Sequence, residues 1–253
     1  MESWIAIFLP MALLLGRVSG FFAILPIFGN RGIPMTVRAG AAILVTLFLG
    51  MFTPVTIRPA GVGVLEAGLM LTGEILYGLA LGMAIYLVFQ AVRMAGCMAE
   101  REMGFATASI IDPVTGEEGD AVSMLFDTAF VLVFLVAGGH RLLLSAIARS
   151  YKIFPMGSVP DPSALTEAVL SAGSAMLLFA LKLAAPMLAA LLVLAVVMAL
   201  LARALPEMNI LMESLPLRVG LGLILAATIV PLMNSFITEL ADWMNRSLTG
   251  SPT

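Results

Sequence analysis

The chain has 253 residues, 61% apolar and 11% charged, against roughly 45–50% and 25% in soluble domains, and its mean hydropathy is +1.08. It belongs with membrane proteins. A net charge of −3 with acids and bases scattered along the chain offers no basic patch for nucleic acid and no polybasic lipid anchor, and the single cysteine, Cys97, excludes an internal disulfide and a cysteine-based metal cage.

The N-terminus runs from Met1-Glu2-Ser3-Trp4 straight into apolar residues, without the basic region and small-residue cleavage site of a signal peptide, so the first helix is expected to be retained. That first apolar run, 4–28, carries Gly16 and Gly20 four residues apart, a spacing that lets a second helix approach closely, with Arg17 between them. A charge near the centre of a bilayer costs roughly 2.5–3.5 kcal/mol on insertion scales. Arg17 should therefore face protein, water or a carboxylate.

A second run covers 35–52, and a third, 62–93, contains Glu74 and repeats the small-residue spacing at Gly78 and Gly82. The fourth run, 121–147, contains Asp127 and then Gly138-Gly139-His140-Arg141. The prolines at 155, 160 and 162 mark the next stretch, from Arg149, as turn structure. A fifth run, 164–202, holds Lys182 and Pro186; a polar connection, 203–218, leads to the sixth, 217–244, with Pro231 at its middle. A proline inside a helix removes one backbone bond and bends it, so the last two runs read as a bent pair. The fold class is all-α and membrane-associated, with six long apolar helical segments in hairpins. Eighteen methionines suit irregular packing and adaptable subunit contacts.

Residues 101–120 fit neither lipid nor an ordinary surface loop. The apolar centre, Phe105-Ala106-Thr107-Ala108-Ser109-Ile110-Ile111, is about a third of the roughly 20 residues a spanning helix needs, and it lies between Gly104 and Asp112-Pro113. It cannot cross a bilayer. Irregular backbone at membrane depth survives only against protein or a water-filled cavity, so the segment reads either as a loop folded back into protein or as a solvated connection whose few apolar residues carry no meaning.

Counting Lys and Arg on alternate sides puts Arg31, Arg38, Arg93, Arg101, Arg203 and Arg218 on one face and Arg58, Arg141, Arg149, Lys152 and Arg246 on the other. A polytopic protein normally shows a clear cytoplasmic bias. This near tie suggests helices packed within a larger assembly. Arg17, Glu74, Asp127 and Lys182 lie deep in the runs, and such charges usually pair or line a polar path.

Catalytic patterns are missing: the sequence holds one histidine, His140, and no His-Glu-x-x-His, Gly-x-Ser-x-Gly or phosphate-cradling Gly-x4-Gly-Lys-Ser/Thr pattern. A non-enzymatic chain without a cofactor is expected. The second function class is a small-molecule secondary transporter, whose repeated halves usually carry matched broken helices. Pro186 and Pro231 have no counterpart pair in the first half.

The ordered landmarks Glu102-Met-Gly-Phe-Ala-Thr107 with Asp112-Pro113, Gly139-His140, Phe154-Pro-Met-Gly-Ser158 and Leu201-Ala-Arg-Ala-Leu-Pro-Glu-Met-Asn-Ile210 together resemble the FliR family of flagellar export-gate proteins, called SctT in virulence secretion systems. The resemblance covers nearly the whole chain. It implies a subunit that joins P-type and Q-type subunits (FliP, FliQ) in a helical cone forming the entrance pore for unfolded export substrates, in the bacterial inner membrane at the flagellar basal body. Residues 1–163 would correspond to a P-type part and 164–253 to a Q-type bent hairpin. By the same resemblance Phe105 to Ile111 would plug the pore, and Arg203, Pro206, Glu207, Glu213, Pro216 and Arg218 would lie near the cytoplasmic entrance where an FlhB-type subunit binds. The flagellar branch is expected over the virulence branch.

Overall fold

A computed structural model describes residues 2–25, 34–52, 63–105, 121–158, 161–205 and 210–249. Its elements are the helices α1 (Glu2–Ile24), α2 (Met35–Phe52), α3 (Val64–Met103), α4 (Ala121–Val136), α5 (Gly139–Ile153), α6 (Pro162–Ala204) and α7 (Ile210–Thr249), and the described residues include no strand. Among the described residues three helices are long and apolar enough to cross a membrane: α3, α6 and residues 214–244 of α7; the pair α4 and α5 forms a fourth candidate if its two parts count as one broken span. The 18 residues of α2 and the 17 of Phe8–Ile24 in α1 are apolar but shorter.

Four boundaries differ from the expectation, one of them at Arg149, where the expected turn stretch stays helical to Ile153. The third run continues as helix through its polar end to Met103, where Gly104 adopts φ 92 and donates its N–H to the Arg101 carbonyl at 3.1 Å. A glycine with positive φ is a common helix stop because it has no Cβ to clash. The fourth run is broken in two at Ala137-Gly138, with Gly138 at φ 79. The expected polar connection 203–218 is helical from Ile210 onwards, with Pro216 and Pro231 both inside α7. Neighbouring groups re-satisfy the backbone that a proline frees in an apolar helix, so Pro216 does not end it.

The start of α6 has a local cause. Asp161 accepts from the Ser163 N–H at 3.0 Å and from its hydroxyl at 2.7 Å, and its carbonyl accepts from Leu165 at 3.2 Å. Asp161 is thus the N-cap, with Pro162 in the first helical position, where its missing N–H costs nothing.

The chain forms two compact units, residues 1–88, 138–174 and 240–253 in the first and 89–137 and 175–239 in the second. In the first unit the buried side chains include Leu13, Leu14, Val18, Phe21, Ile85 and Ile147. Helix α5 is amphipathic: Leu143, Ala146, Ile147, Ser150 and Tyr151 are buried, a spacing that lines one face of a helix. Met11 of α1 packs on Gly50 of α2.

In the second unit α4 buries Val122, Ser123, Phe126, Phe130 and Phe134. Phe130 and Phe134 meet Phe89 with centroids 5.1 and 4.9 Å apart, edge on, and Phe236 joins Phe130 to Phe179 at 5.5 and 5.1 Å. Such edge-to-face pairs contribute about 0.5–1.5 kcal/mol each beyond buried area. Outside this core, Leu178, Leu181, Leu192, Val193, Val196 and Leu200 of α6 are each at least 54% exposed. An apolar face of that extent belongs against lipid or another subunit.

Candidate functional site

Within the first unit, α1 and α3 touch backbone to backbone. A Cβ on Gly20 would lie 2.7 Å from the Ile75 carbonyl oxygen and 3.1 Å from the Leu79 nitrogen; one on Gly82 would lie 2.9 Å from the Phe21 carbonyl oxygen. At Gly78 the added carbon would run into the Arg17 carbonyl. Residues 74, 78 and 82 recur every four positions and so share one face of α3. The glycines bring the helices together, and Glu74, one turn before them, then faces Arg17.

Arg17 donates from Nε to Glu74 Oε2 at 2.6 Å, and both side chains are fully buried. Its Nη1 donates to Ser150 Oγ at 3.3 Å and to the Phe154 carbonyl at 3.0 Å. The other carboxylate oxygen, Glu74 Oε1, accepts from the Gly157 N–H at 2.9 Å. That donor is placed by a turn in which Ser158 N–H reaches the Pro155 carbonyl at 3.2 Å and Gly157 takes φ 74, a positive value that glycine supplies at the third position of a type II turn. Phe154 to Ser158 therefore forms a cap over the ion pair.

Aromatic rings enclose the guanidinium. Its central carbon is 4.2 Å from the Tyr151 ring centroid and 5.1 Å from that of Tyr77, and Tyr77 packs on Phe154 with centroids 4.5 Å apart. Tyr151 sends its hydroxyl to the Leu14 carbonyl at 3.3 Å. The ion pair, its hydrogen bonds and these rings tie α1, α3, α5 and the 154–158 turn into one clamp. A buried pair is strongly disrupted when one partner is removed, because the other charge stays unpaired.

The other charges singled out in the sequence lie elsewhere. Lys182 is 55% exposed and bonds Glu239 Oε2 at 3.0 Å, while Asp127 is half-buried with the Arg93 charge acting on it. Phe105 is half-buried just past the end of α3, and Ala106, Thr107, Ala108, Ser109, Ile110 and Ile111 lie outside the described residues. Arg203 is exposed at the end of α6; Pro206 and Glu207 lie outside the described residues; Glu213, Pro216 and Arg218 belong to α7, where Pro216 is exposed and Arg218 half-buried. Among the described residues, no three of His, Cys, Asp and Glu stand together as a metal site.

Ser150, Tyr151 and Gly157 were not legible as partners of the ion pair from the sequence, although Gly157 sits in the Phe-Pro-Met-Gly-Ser landmark. Glu100 was also missed. It is buried in α3, and one of its carboxylate oxygens lies 3.5 Å from the Ser123 N–H in the first turn of α4.

Residues 8–244 match the model of the family described as bacterial export proteins, family 1. The chain belongs to this family. Among curated members of similar sequence, flagellar biosynthetic protein FliR of Bacillus subtilis is 30% identical over 230 residues, covering 89% of this chain and 87% of its own. FliR of Escherichia coli is 31% identical over 224 residues, covering 88% and 85%. Yop proteins translocation protein T of Yersinia pestis is 28% identical over 222 residues, covering 86% and 84%. The clamp residues from Arg17 to Gly157 all fall inside the part matched to the bacterial export family.

Proposed function

We propose that this chain is a core subunit of a flagellar type III protein export gate, which it forms with P-type and Q-type subunits as the entrance pore for unfolded export substrates, without chemistry of its own. The observation that carries the reading is its membership of the bacterial export family over residues 8–244. Relatives named for flagellar biosynthesis and for Yop translocation match more than four-fifths of the chain. The flagellar branch is favoured because the relatives named above that reach 30% identity are FliR proteins; FliR relatives span 24–31%, a range that includes the Yop relative's 28%.

Three physical features support the reading. Helices α3, α6 and α7 have 40, 43 and 40 residues, or about 60 Å each at 1.5 Å per residue, about twice the hydrocarbon thickness of a bilayer. They therefore suit an assembly that rises out of the membrane. The exposed leucines and valines of α6 suit contacts with neighbouring subunits. The third feature is the glycine stop at Gly104, directly before the apolar stretch 105–111, where a soft constriction would exclude ions by dewetting and yield to a passing chain.

In this proposal 1–163 corresponds to the P-type part and 164–253 to the Q-type hairpin, Phe105 to Ile111 form the plug, and the connection around Pro206 and Glu207 meets an FlhB-type subunit at the cytoplasmic entrance. The site of action is the inner membrane at the flagellar basal body. The test is affinity purification of the chain from its native membrane: P-type and Q-type subunits should co-isolate in fixed proportion. A chain that purifies alone and takes up a small solute in vesicles would support a secondary transporter instead.

A further inference from the structure

The hairpin of α6 and α7 is longer than a bilayer is thick. The 43 residues of α6 extend about 65 Å at 1.5 Å per residue, against roughly 30 Å of hydrocarbon, so only part of the helix can lie in lipid. The exposed surface of the second unit shows which part.

Between residues 183 and 202 every exposed side chain of α6 is apolar, Leu192, Val193, Val196 and Leu200 among them. Between residues 215 and 232 the exposed positions of α7 are apolar too, except Thr228, whose hydroxyl donates to the Leu225 carbonyl at 2.7 Å within its own helix. These stretches are about 30 Å and about 27 Å long, which matches the hydrocarbon thickness.

The band ends abruptly. From 233 to 239 the exposed residues of α7 are Asn234, Ser235, Thr238 and Glu239, and Glu239 pairs with Lys182 of α6 at 3.0 Å, their side chains 51% and 55% exposed. A charged pair so open is costly in hydrocarbon. At the other end of the band Arg203 is exposed, and Arg218 is half-buried about one turn inside α7, close enough for its long side chain to reach the surface.

Charges on the other two helices of the unit fall at the level of the Lys182–Glu239 pair. Phe89, Phe130, Phe236 and Phe179 touch in a row across α3, α4, α7 and α6. Arg93, Asp127, Glu239 and Lys182 each lie about one helical turn from the phenylalanine of their own helix. Four helices thus place one charge each beside a single layer of rings.

We propose that lipid hydrocarbon covers the outer face of this hairpin only over 183–202 and 215–232. The Lys182–Glu239 pair lies at headgroup level, and residues 175–181 and 233–239 stand outside the bilayer. The exposed leucines of α6 then divide: Leu192 and Leu200 meet lipid, while Leu177 and Leu178 lie beyond the rim and are left for a neighbouring subunit. The lipid band follows from this chain's own surface, and only the cover of Leu177 and Leu178 rests on the proposed export gate.

The test uses the full chain carrying Cys97→Ser, with the subunits that co-isolate, reconstituted in phospholipid vesicles and bearing a nitroxide on one introduced cysteine at a time. Relaxation of the label by oxygen, which concentrates in hydrocarbon, is compared with relaxation by a water-soluble nickel chelate. Oxygen should act at least fivefold more strongly on labels at Val196→Cys and Ile224→Cys than at Ser235→Cys and Thr238→Cys, and the chelate should not reach the first two. Leu192→Cys and Leu223→Cys replace either band variant that does not assemble. Equal oxygen exposure at all four positions would overturn the proposal. Band labels that the chelate reaches, or that neither reagent reaches because another protein covers them, would overturn it as well. A chain that purified alone and still gave the expected profile would remove the proposed gate and keep the lipid band.

Discussion

Arg17 of α1 and Glu74 of α3 form an ion pair at 2.6 Å with both side chains fully buried, at a seam where glycines on each helix admit the other's backbone. Removal of either partner leaves the other charge buried and unpaired, at a cost of about 3–5 kcal/mol. Arg17→Leu and Glu74→Leu should each sharply lower the accumulation and Tm of the purified protein. The double variant should recover much of the loss, because replacing a whole buried pair by apolar residues is often neutral. Two harmless single changes would show that the pair does not hold the clamp.

The seam itself is tested by glycine replacement. Gly78→Ala should destabilise by at least the ~1–3 kcal/mol typical of overpacking, because the new methyl meets backbone of α1, which cannot rotate away. Gly68→Ala lies ten residues earlier with no atom within 4 Å of the new carbon. It should be neutral or stabilising by up to ~1 kcal/mol through helix propensity. Comparison of the two melting temperatures separates close approach from propensity.

The N-cap of α6 should respond to pH. The hydroxyl of Ser163, followed by its backbone N–H, holds the Asp161 carboxyl below its ordinary pKa. A carboxyl group depressed by folding contributes stability that is fully present above its unfolded pKa and is lost as pH falls through the folded value. Protection of the Ser163 and Ala164 amides, taken as exchange relative to the intrinsic rate at each pH, should therefore fall on acidification of the wild type. In Asp161→Asn, which caps without titrating, the protection factors should lose that pH dependence.

How much of this was written in the sequence differs from residue to residue. The spacings Gly16-x3-Gly20 and Gly78-x3-Gly82 announced close packing, and Arg17 announced the need for a partner; these are local patterns with a direct steric or electrostatic meaning. The identity of the partner was not local. Glu74 is separated from Arg17 by 57 positions and Ser150 by 133, and only the fold brings them together. The break at Gly138 was hidden because apolar residues continue on both sides of it, so composition alone reads one run where the backbone makes two helices. Pro216 misled in the opposite direction: proline punctuates helices in water, but α7 continues through it. At the proposed plug the sequence gives only a length and a polarity, Phe105 followed by small residues and two isoleucines.

The central claim is that residues 105–111 close a pore shared with other subunits. It is tested most directly by ion conductance of membranes carrying the assembled export complex with those seven residues deleted. The account predicts a clear rise in leakage over the wild-type complex at equal complex content. Unchanged conductance through an intact complex would contradict it.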